Sequence, residues 1–199
     1  MGSCAAPSAK GDDKFITTDY LQQCQPGSCV VPVSGGLSLP QERGSVHYEA
    51  EIAVLIGKPL SRKPSREEVL DAISGYAPAL DLTLREVQAK LKEKGLPWEL
   101  AKSFDGAGVL SPFVNADQFP DPTDIGIRLT INGEVRQDGN SRDMLNPIVP
   151  LIQHIAGHFS LQAGDVVLTG TPSGVGPLNS GDELLLELPG ASRFETRVL

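Results

Sequence analysis

Glu49 and Glu51 stand two residues apart in the stretch SVHYEAEIAVLIG, just ahead of a wholly apolar run. On a strand, side chains at i and i+2 share one face, so the two carboxylates would point the same way and could bind one ion together. Hard carboxylate oxygens suit magnesium, manganese or calcium, whereas zinc would ask for more histidine or cysteine. The bland alternative is a solvated strand face. Against it stands the apolar continuation AVLIG, because a buried carboxylate without a partner is costly. A third acid, Asp81, closes another extended apolar segment, YAPALDL. Three acids from separate segments would complete an oxygen site with room for water or substrate. A purely structural role would instead keep them apart or pair them with Lys and Arg.

Basic and polar residues of the right kind follow. Arg85 and Gln88 lie three apart in REVQAKLKEKG, hence on one helix face. A guanidinium and an amide beside a metal suit a substrate carboxylate plus another oxygen. Lys90, Lys92, Glu93 and Lys94 of the same segment read as a solvated face. Lys102 sits among Leu100, Ala101 and Phe104 in LPWELAKSFDGAGVLSPF. In such surroundings a lysine stabilises an oxyanion, changes protonation state, or snorkels to water. TGTPSGVG lacks the lysine of a P-loop and is not G-x-G-x-x-G, which rejects a nucleotide site. Its amides could still hold a carboxylate. His154 and His158 are spaced i, i+4, but HIAGH has no zinc-protease glutamate, and no G-x-S-x-G supports a serine triad.

These side chains need a scaffold, and the pattern supplies one. A strand is expected over residues 45–56. KPSREEVLDAISG predicts a helix with Ser65 as N-cap, Glu68 completing a capping box, and Val69, Leu70 and Ile73 facing inward. YAPALDLTL is extended, and REVQAKLKEKG is a second helix closed by Gly95. IRLTINGEVRQDG predicts a hairpin turning at Asn132-Gly133. NPIVPLIQHIAGHF predicts a helix with Asn146 as cap and Pro147 as first residue, burying Ile148, Leu151, Ile152 and Ile155. DVVLTGTPSGVG is a buried strand entering a glycine loop, and DELLLELPG and FETRVL are closing strands. Strands outnumber helices without alternating with them. The fold class expected is therefore α+β, mainly β, an antiparallel or mixed sheet with peripheral helices. Residues 1–25 read as an irregular N-terminal segment and residues 26–199 as one domain.

Composition narrows the partners. A formal charge of −8 over 199 residues leaves no basic footprint for nucleic acid. No apolar run reaches membrane-spanning length, and MGSCAAPSAKGDDK lacks the apolar core of a secretory signal. Ala6 stands where an acylation signal wants Ser or Thr. Cys4, Cys24 and Cys29 are odd in number and bunched, which fits a reducing cytoplasm better than a disulfide framework.

Five segments in order, GSVHYEAEIAVLIG, GYAPALDLTLREVQ, GLPWELAKSFDGAGVLSPF, NGEVRQDGNSRDM and GDVVLTGTPSGVGPLNSGD, together resemble the fumarylacetoacetate hydrolase family. Within it the similarity is to small bacterial acylpyruvate hydrolases and 2-hydroxyhepta-2,4-diene-1,7-dioate isomerase-like members, and it runs over residues 26–199. The resemblance implies a twisted β-roll of mixed sheets, a homodimer, and one Mg2+ or Mn2+ per site, with Ca2+ also suited. It implies Glu49, Glu51 and Asp81 as metal ligands. It implies Arg85, Gln88 and Lys102 as catalytic and substrate-contacting residues, and Thr171 in GTP as a partner of the substrate carboxylate. The substrate implied is a small 2-oxo acid, whose enolate at C3 is stabilised by a Lewis-acidic ion.

Hydrolysis of a C–C bond in an acylpyruvate such as fumarylpyruvate is the expectation at family level. Tautomerisation or isomerisation, decarboxylation of oxaloacetate, and oxo-acid binding without turnover are the alternatives. Hydrolysis also needs a base to activate water. Hydrolytic members carry N-Y-x-x-H-x-x-E near the start, whereas this chain has FITTDYLQQCQPGSC there and no histidine before His47. That departure favours the tautomerase and isomerase alternative. His47, on the metal strand, is expected to support the ligands rather than to replace the missing base.

Overall fold

Two long antiparallel strands, Ala50–Ile56 and Ile73–Asp81, form the centre, with Ala50 opposite Leu80 and Val54 opposite Tyr76. The computed structural model describes the backbone of residues 15–16 and residues 29–199. Ala50, Ile52, Val54 and Ile56 point into the main core. Ala53, Ala77, Ala79 and Leu168 gather in a second apolar cluster. A strand covered on both faces has no need of polar residues in alternate positions, which is why AVLIG reads as unbroken apolar sequence.

Val166–Leu168 extends this sheet on one side, and Gly108–Leu110 and Val114–Asn115 on the other. Val30–Pro32 runs parallel to Gly108–Leu110 and completes six strands. A second sheet of four antiparallel strands has the order Glu134–Asn140, Gly126–Ile131, Glu183–Leu188, Ser192–Arg197. A third joins Gly176–Pro177, Val46–Tyr48 and Thr83–Leu84. The backbone of Phe15–Ile16 pairs with Thr171–Pro172. The protein is thus mainly β with mixed sheets and few helices, as its pattern predicts.

The strand expected over residues 45–56 is in fact two. Val46–Tyr48 belongs to the three-stranded sheet and Ala50–Ile56 to the six-stranded one, with Glu49 at the switch. Its neighbour changes sheets at the same level: Ile73–Asp81 gives way to Thr83–Leu84 at Leu82, whose N–H donates to the Ala107 carbonyl at 2.7 Å. The Asp81 N–H donates to the Glu49 carbonyl at 2.9 Å, so the two corners are tied by their main chains.

Helix Arg66–Ala72 carries the expected capping box: Glu68 N–H donates to Ser65 Oγ at 3.1 Å, and Ser65 N–H to Glu68 Oε2 at 2.7 Å. Val69 and Ala72 form its buried face, whereas Leu70, expected inward, is 37% exposed and Ile73 already belongs to the next strand. Seven residues give room for one short stripe, and i, i+3 spacing selects Val69 and Ala72. Helix Arg85–Glu93 ends before Gly95, which takes φ +64° as expected.

Helix Ile148–His158 begins one residue later than its sequence suggests. Pro147, not Asn146, is the N-cap: its ψ of 151° is extended while its carbonyl accepts from Leu151 N–H at 2.9 Å. A proline suits that position because a cap's own N–H plays no part in the helix. Ile148, Leu151, Ile152 and Ile155 are buried as predicted. Asn132 and Gly133, at φ 53° and 80°, make the hairpin turn. Among the described residues no helix is long and apolar enough to cross a membrane. Cys29 is a buried thiol. Cys4, Cys24 and, apart from the Phe15–Ile16 backbone, the segment expected to be irregular over residues 1–25 lie outside the described residues.

Candidate active site

The two strand corners bring the three acids together. Glu49 occupies the first switch, Glu51 follows on Ala50–Ile56, and Asp81 ends Ile73–Asp81. One carboxylate oxygen from each lies within 4.8 Å of the others, and all three residues are at most 1% exposed. Among the described residues this is the sole group of three or more His, Cys, Asp or Glu so placed. His154 and His158 are outside it; their rings stack edge to face at 4.8 Å on the exposed end of their helix.

Lys102, from the one-turn helix Glu99–Lys102, does not snorkel to water. It is 1% exposed, and its Nζ donates to Glu49 Oε2 and Asp81 Oδ2, both at 2.6 Å. Arg85 Nη2 donates to Glu49 Oε1 at 2.5 Å and its Nη1 to Gln88 Oε1 at 2.7 Å. The pairing foreseen for a purely structural role is therefore realised for two of the acids. Glu51 breaks that pattern. Its Oε2 accepts from Gly170 N–H at 2.7 Å, while its Oε1 is buried with no donor among the described residues. Gly170 reaches it with φ +97°, a conformation that a side chain would strain.

Among the described residues the charges do not balance. Three buried carboxylates face one buried ammonium and a guanidinium whose side chain is 26% exposed. Burial pushes the Glu49 carboxyl up, but Lys102 and Arg85 outweigh it and hold the group below the usual carboxylate value. For Glu51 burial acts in the same direction as the neighbouring charges of Asp81 and Glu49, and its pKa stands well above 4.5 despite Lys102 and the Gly170 amide. Burial opposes the charge on Lys102, yet Asp81, Glu49 and Glu51 raise its pKa and keep it an ammonium. A cluster short of positive charge, made of hard oxygens and holding one orphaned acceptor, fits a divalent cation of the Mg2+ or Mn2+ type. The pKa of His47, half-buried on Val46–Tyr48, is lowered by burial and then by Arg85, and its Nδ1 is buried with no partner among the described residues.

Thr171 lies close by in chain and space. It is fully buried, next to the Gly170 amide that holds Glu51, and its Oγ1 accepts from Gln137 Nε2 at 2.8 Å. Gln137 is the residue that sequence reasoning missed. A bulge in the hairpin puts Val135 opposite Thr130 but Gln137 opposite Leu129, so the extra residue Arg136 turns Gln137 inward. The sequence carries no signal for it: Val135, the one apolar residue of EVRQDGN, reads as inward, yet it is 57% exposed and Gln137 fills the inner position.

The family model described as fumarylacetoacetate (FAA) hydrolase C-terminal matches residues 17–199. The chain belongs to that family. It is 51% identical over 200 residues to oxaloacetate tautomerase YcgM of Escherichia coli (strain K12), covering 100% of this chain and 90% of that protein. Among solved structures, the fumarylpyruvate hydrolase from Pseudomonas aeruginosa in complex with Mn2+ and pyruvate is 33% identical, with a TM-score of 0.83 over 88% of this chain and 77% of that one. The 2-hydroxyhepta-2,4-diene-1,7-dioate isomerase from Mycobacterium marinum is 29% identical, with a TM-score of 0.81 over 94% and 71%. The family's members thus include tautomerases, hydrolases and isomerases, and membership makes this chain an enzyme of that group.

Proposed function

We propose that the protein is an oxaloacetate tautomerase dependent on a divalent cation, interconverting the enol and keto forms of a small 2-oxo dicarboxylate. The observation that carries this reading is the buried trio Glu49, Glu51 and Asp81, with the Glu51 oxygen left unpaired beside the Lys102 ammonium. The relative YcgM, named as an oxaloacetate tautomerase, supports it over the hydrolase expectation.

In this reading Glu49, Glu51 and Asp81 hold Mg2+ or Mn2+, which when bound supplies Lewis acidity at the oxygens of the 2-oxo acid. Going from enol to keto, the hydroxyl proton leaves the C2 oxygen, the C2–C3 double bond becomes single, and a proton adds at C3. No water enters and no carbon–carbon bond breaks. That economy suits a chain whose FITTDYLQQCQPGSC stretch offers no histidine to activate water. Lys102, kept protonated by its carboxylate neighbours, supplies positive charge beside the developing enolate and does not act as a base. Arg85, anchored by Glu49 and Gln88, presents its outer edge to a substrate carboxylate. Gln88 spends its carbonyl on Arg85 and keeps its amide nitrogen as a donor for a substrate oxygen. Thr171 donates its hydroxyl to a carboxylate.

The second reading is cleavage of an acylpyruvate, favoured by the similarity to the fumarylpyruvate hydrolase. One set of assays separates the two. Decay of enol-oxaloacetate is followed by ultraviolet absorbance with Mg2+ or Mn2+ and with chelator, beside fumarylpyruvate cleavage under the same conditions. Metal-dependent acceleration of the first alone is the expected result. Comparable or faster cleavage replaces tautomerase by hydrolase, and oxalate binding without turnover of either substrate leaves an oxo-acid binder.

A further inference from the structure

We propose that Gln137 is a positioning residue that aims the hydroxyl proton of Thr171 at the substrate carboxylate; this rests on the role given to Thr171 above. The Gln137 amide is 2% exposed, and both its ends meet backbone groups of fixed polarity. Ala50 N–H donates to Oε1 at 2.9 Å, and the Pro172 carbonyl accepts from Nε2 at 2.8 Å. Flipping the amide would set N–H against N–H and oxygen against oxygen, so one orientation alone satisfies both contacts.

The remaining Nε2 proton then goes to Thr171 Oγ1, 2.8 Å away. Thr171 has to accept. A hydroxyl has one proton and two lone pairs, and with a lone pair engaged by Gln137 the proton is left to donate elsewhere. No protein acceptor is bonded to it among the described residues. A carboxylate oxygen of the 2-oxo acid is the acceptor this polarity selects.

Two features hold the device in place. The bulge at Arg136 swings Gln137 beneath the loop, and Gly174 brings that loop against the bulge. At φ +102° it approaches so closely that a Cβ there would lie 2.2 Å from the Arg136 carbonyl oxygen. The Ala50 N–H serves as the anchor that fixes which way the amide points.

The test is a double-mutant cycle on Thr171→Val and Gln137→Met, read by calorimetric affinity for oxalate in Mn2+, by affinity for Mn2+ alone, and by KM and kcat on oxaloacetate. Thr171→Val is expected to weaken oxalate on the order of tenfold, the effect of losing a hydrogen bond to a charged group. Gln137→Met is expected to weaken oxalate severalfold and to raise KM more than it lowers kcat, with Mn2+ affinity unchanged. In the Thr171→Val background it should do nothing further. Additive losses, or a loss of Mn2+ affinity, overturn the proposal while leaving the Thr171 contact intact. A Thr171→Val protein that binds oxalate normally overturns both. If wild-type protein binds oxalate but does not turn over oxaloacetate, the functional reading fails and the oxalate cycle still decides this one. Should Gln137→Met not fold, the wild-type side-chain amide resonances of Gln137 serve: they should be protected from exchange and move in Thr171→Val, and indifference to that substitution overturns the bond.

Discussion

Charged residues of the same types meet in two regions of this molecule with opposite results. On the outer face of the four-stranded sheet, Arg128 stands opposite Asp138 on one neighbour and Glu187 on the other, and Glu187 stands opposite Arg193. Signs alternate along that row. Its one direct bridge, Arg128 to Asp138 at 2.8 Å, joins side chains 40% and 52% exposed. At the strand corners Lys102 meets Glu49 and Asp81 at 2.6 Å, all 1–2% exposed, and Glu51 finds no cation of its own among the described residues. The surface row is balanced and solvated, so each pair contributes about 0–1 kcal/mol. The buried group is unbalanced and dry. Its excess negative charge destabilises the metal-free fold, and a bound cation relieves that cost. Distances barely differ between the regions; burial and charge balance separate a scaffold from a site.

The contrast can be broken most directly at its extreme. Glu49→Ala and Glu51→Ala should each reduce enol-oxaloacetate conversion to the metal-independent background while the protein still folds, checked by circular dichroism beside the assay. Full activity in either variant would remove the site. Next in size, Lys102→Met leaves the carboxylates without their ammonium and should cost the metal-free protein about 3–5 kcal/mol, the usual effect of orphaning buried charge. Thermal melts should show Mn2+ recovering much of that loss, with turnover falling more than Mn2+ affinity. Equal losses with and without Mn2+ would mean that the carboxylates do not share an ion.

A smaller effect follows pH. The native pKa of Glu51 is raised by burial and by Asp81, so its contribution to stability is full below 4.5 and is lost as pH rises through the native value. Glu49 is lowered, and its contribution is present above 4.5 and lost only as pH falls through its depressed value, a separate window. Above 4.5 Glu51 pulls the melting temperature of metal-free protein down with rising pH and widens the stabilisation by Mn2+, against His47, whose lowered pKa adds stability as pH rises through 6.5. Glu51→Gln should flatten both trends. The smallest effect belongs to the surface row, where Asp138→Asn should change stability by about 0.5 kcal/mol or less and leave activity alone. A loss well above about 1 kcal/mol would erase the distinction between the regions.

Much of the site was legible because its chemistry is written in local spacing. Two glutamates at i, i+2 before AVLIG share one face, and an apolar run buried on both faces carries that face inward, as does the apolar run YAPALDL that Asp81 closes. Lys102 was not decidable in this way. Its apolar flanks suit a snorkelling chain as well as a buried one, and the carboxylates that settle the matter come from 53 and 21 residues away. The sheet switch at Glu49 was equally silent, since period-two alternation runs through a corner unchanged while the hydrogen-bonding partners change. Gln137 was hidden by a bulge, which inverts the alternation from which inward residues are read. The early helix start at Asn146 and the inward Leu70 missed by one position each, where caps and short stripes are set by the surrounding packing.

The hydrogen bond from Gly170 to Glu51 joins residues 119 apart in the chain. Such a contact forms only after the intervening loop has closed, and chains rich in distant pairings fold slowly for that reason. The acids lie close together in the chain, but the amide that fixes Glu51 in place arrives late. A cation held there would recognise the finished corner, act by mass action on the native state, and make itself felt chiefly as slower unfolding.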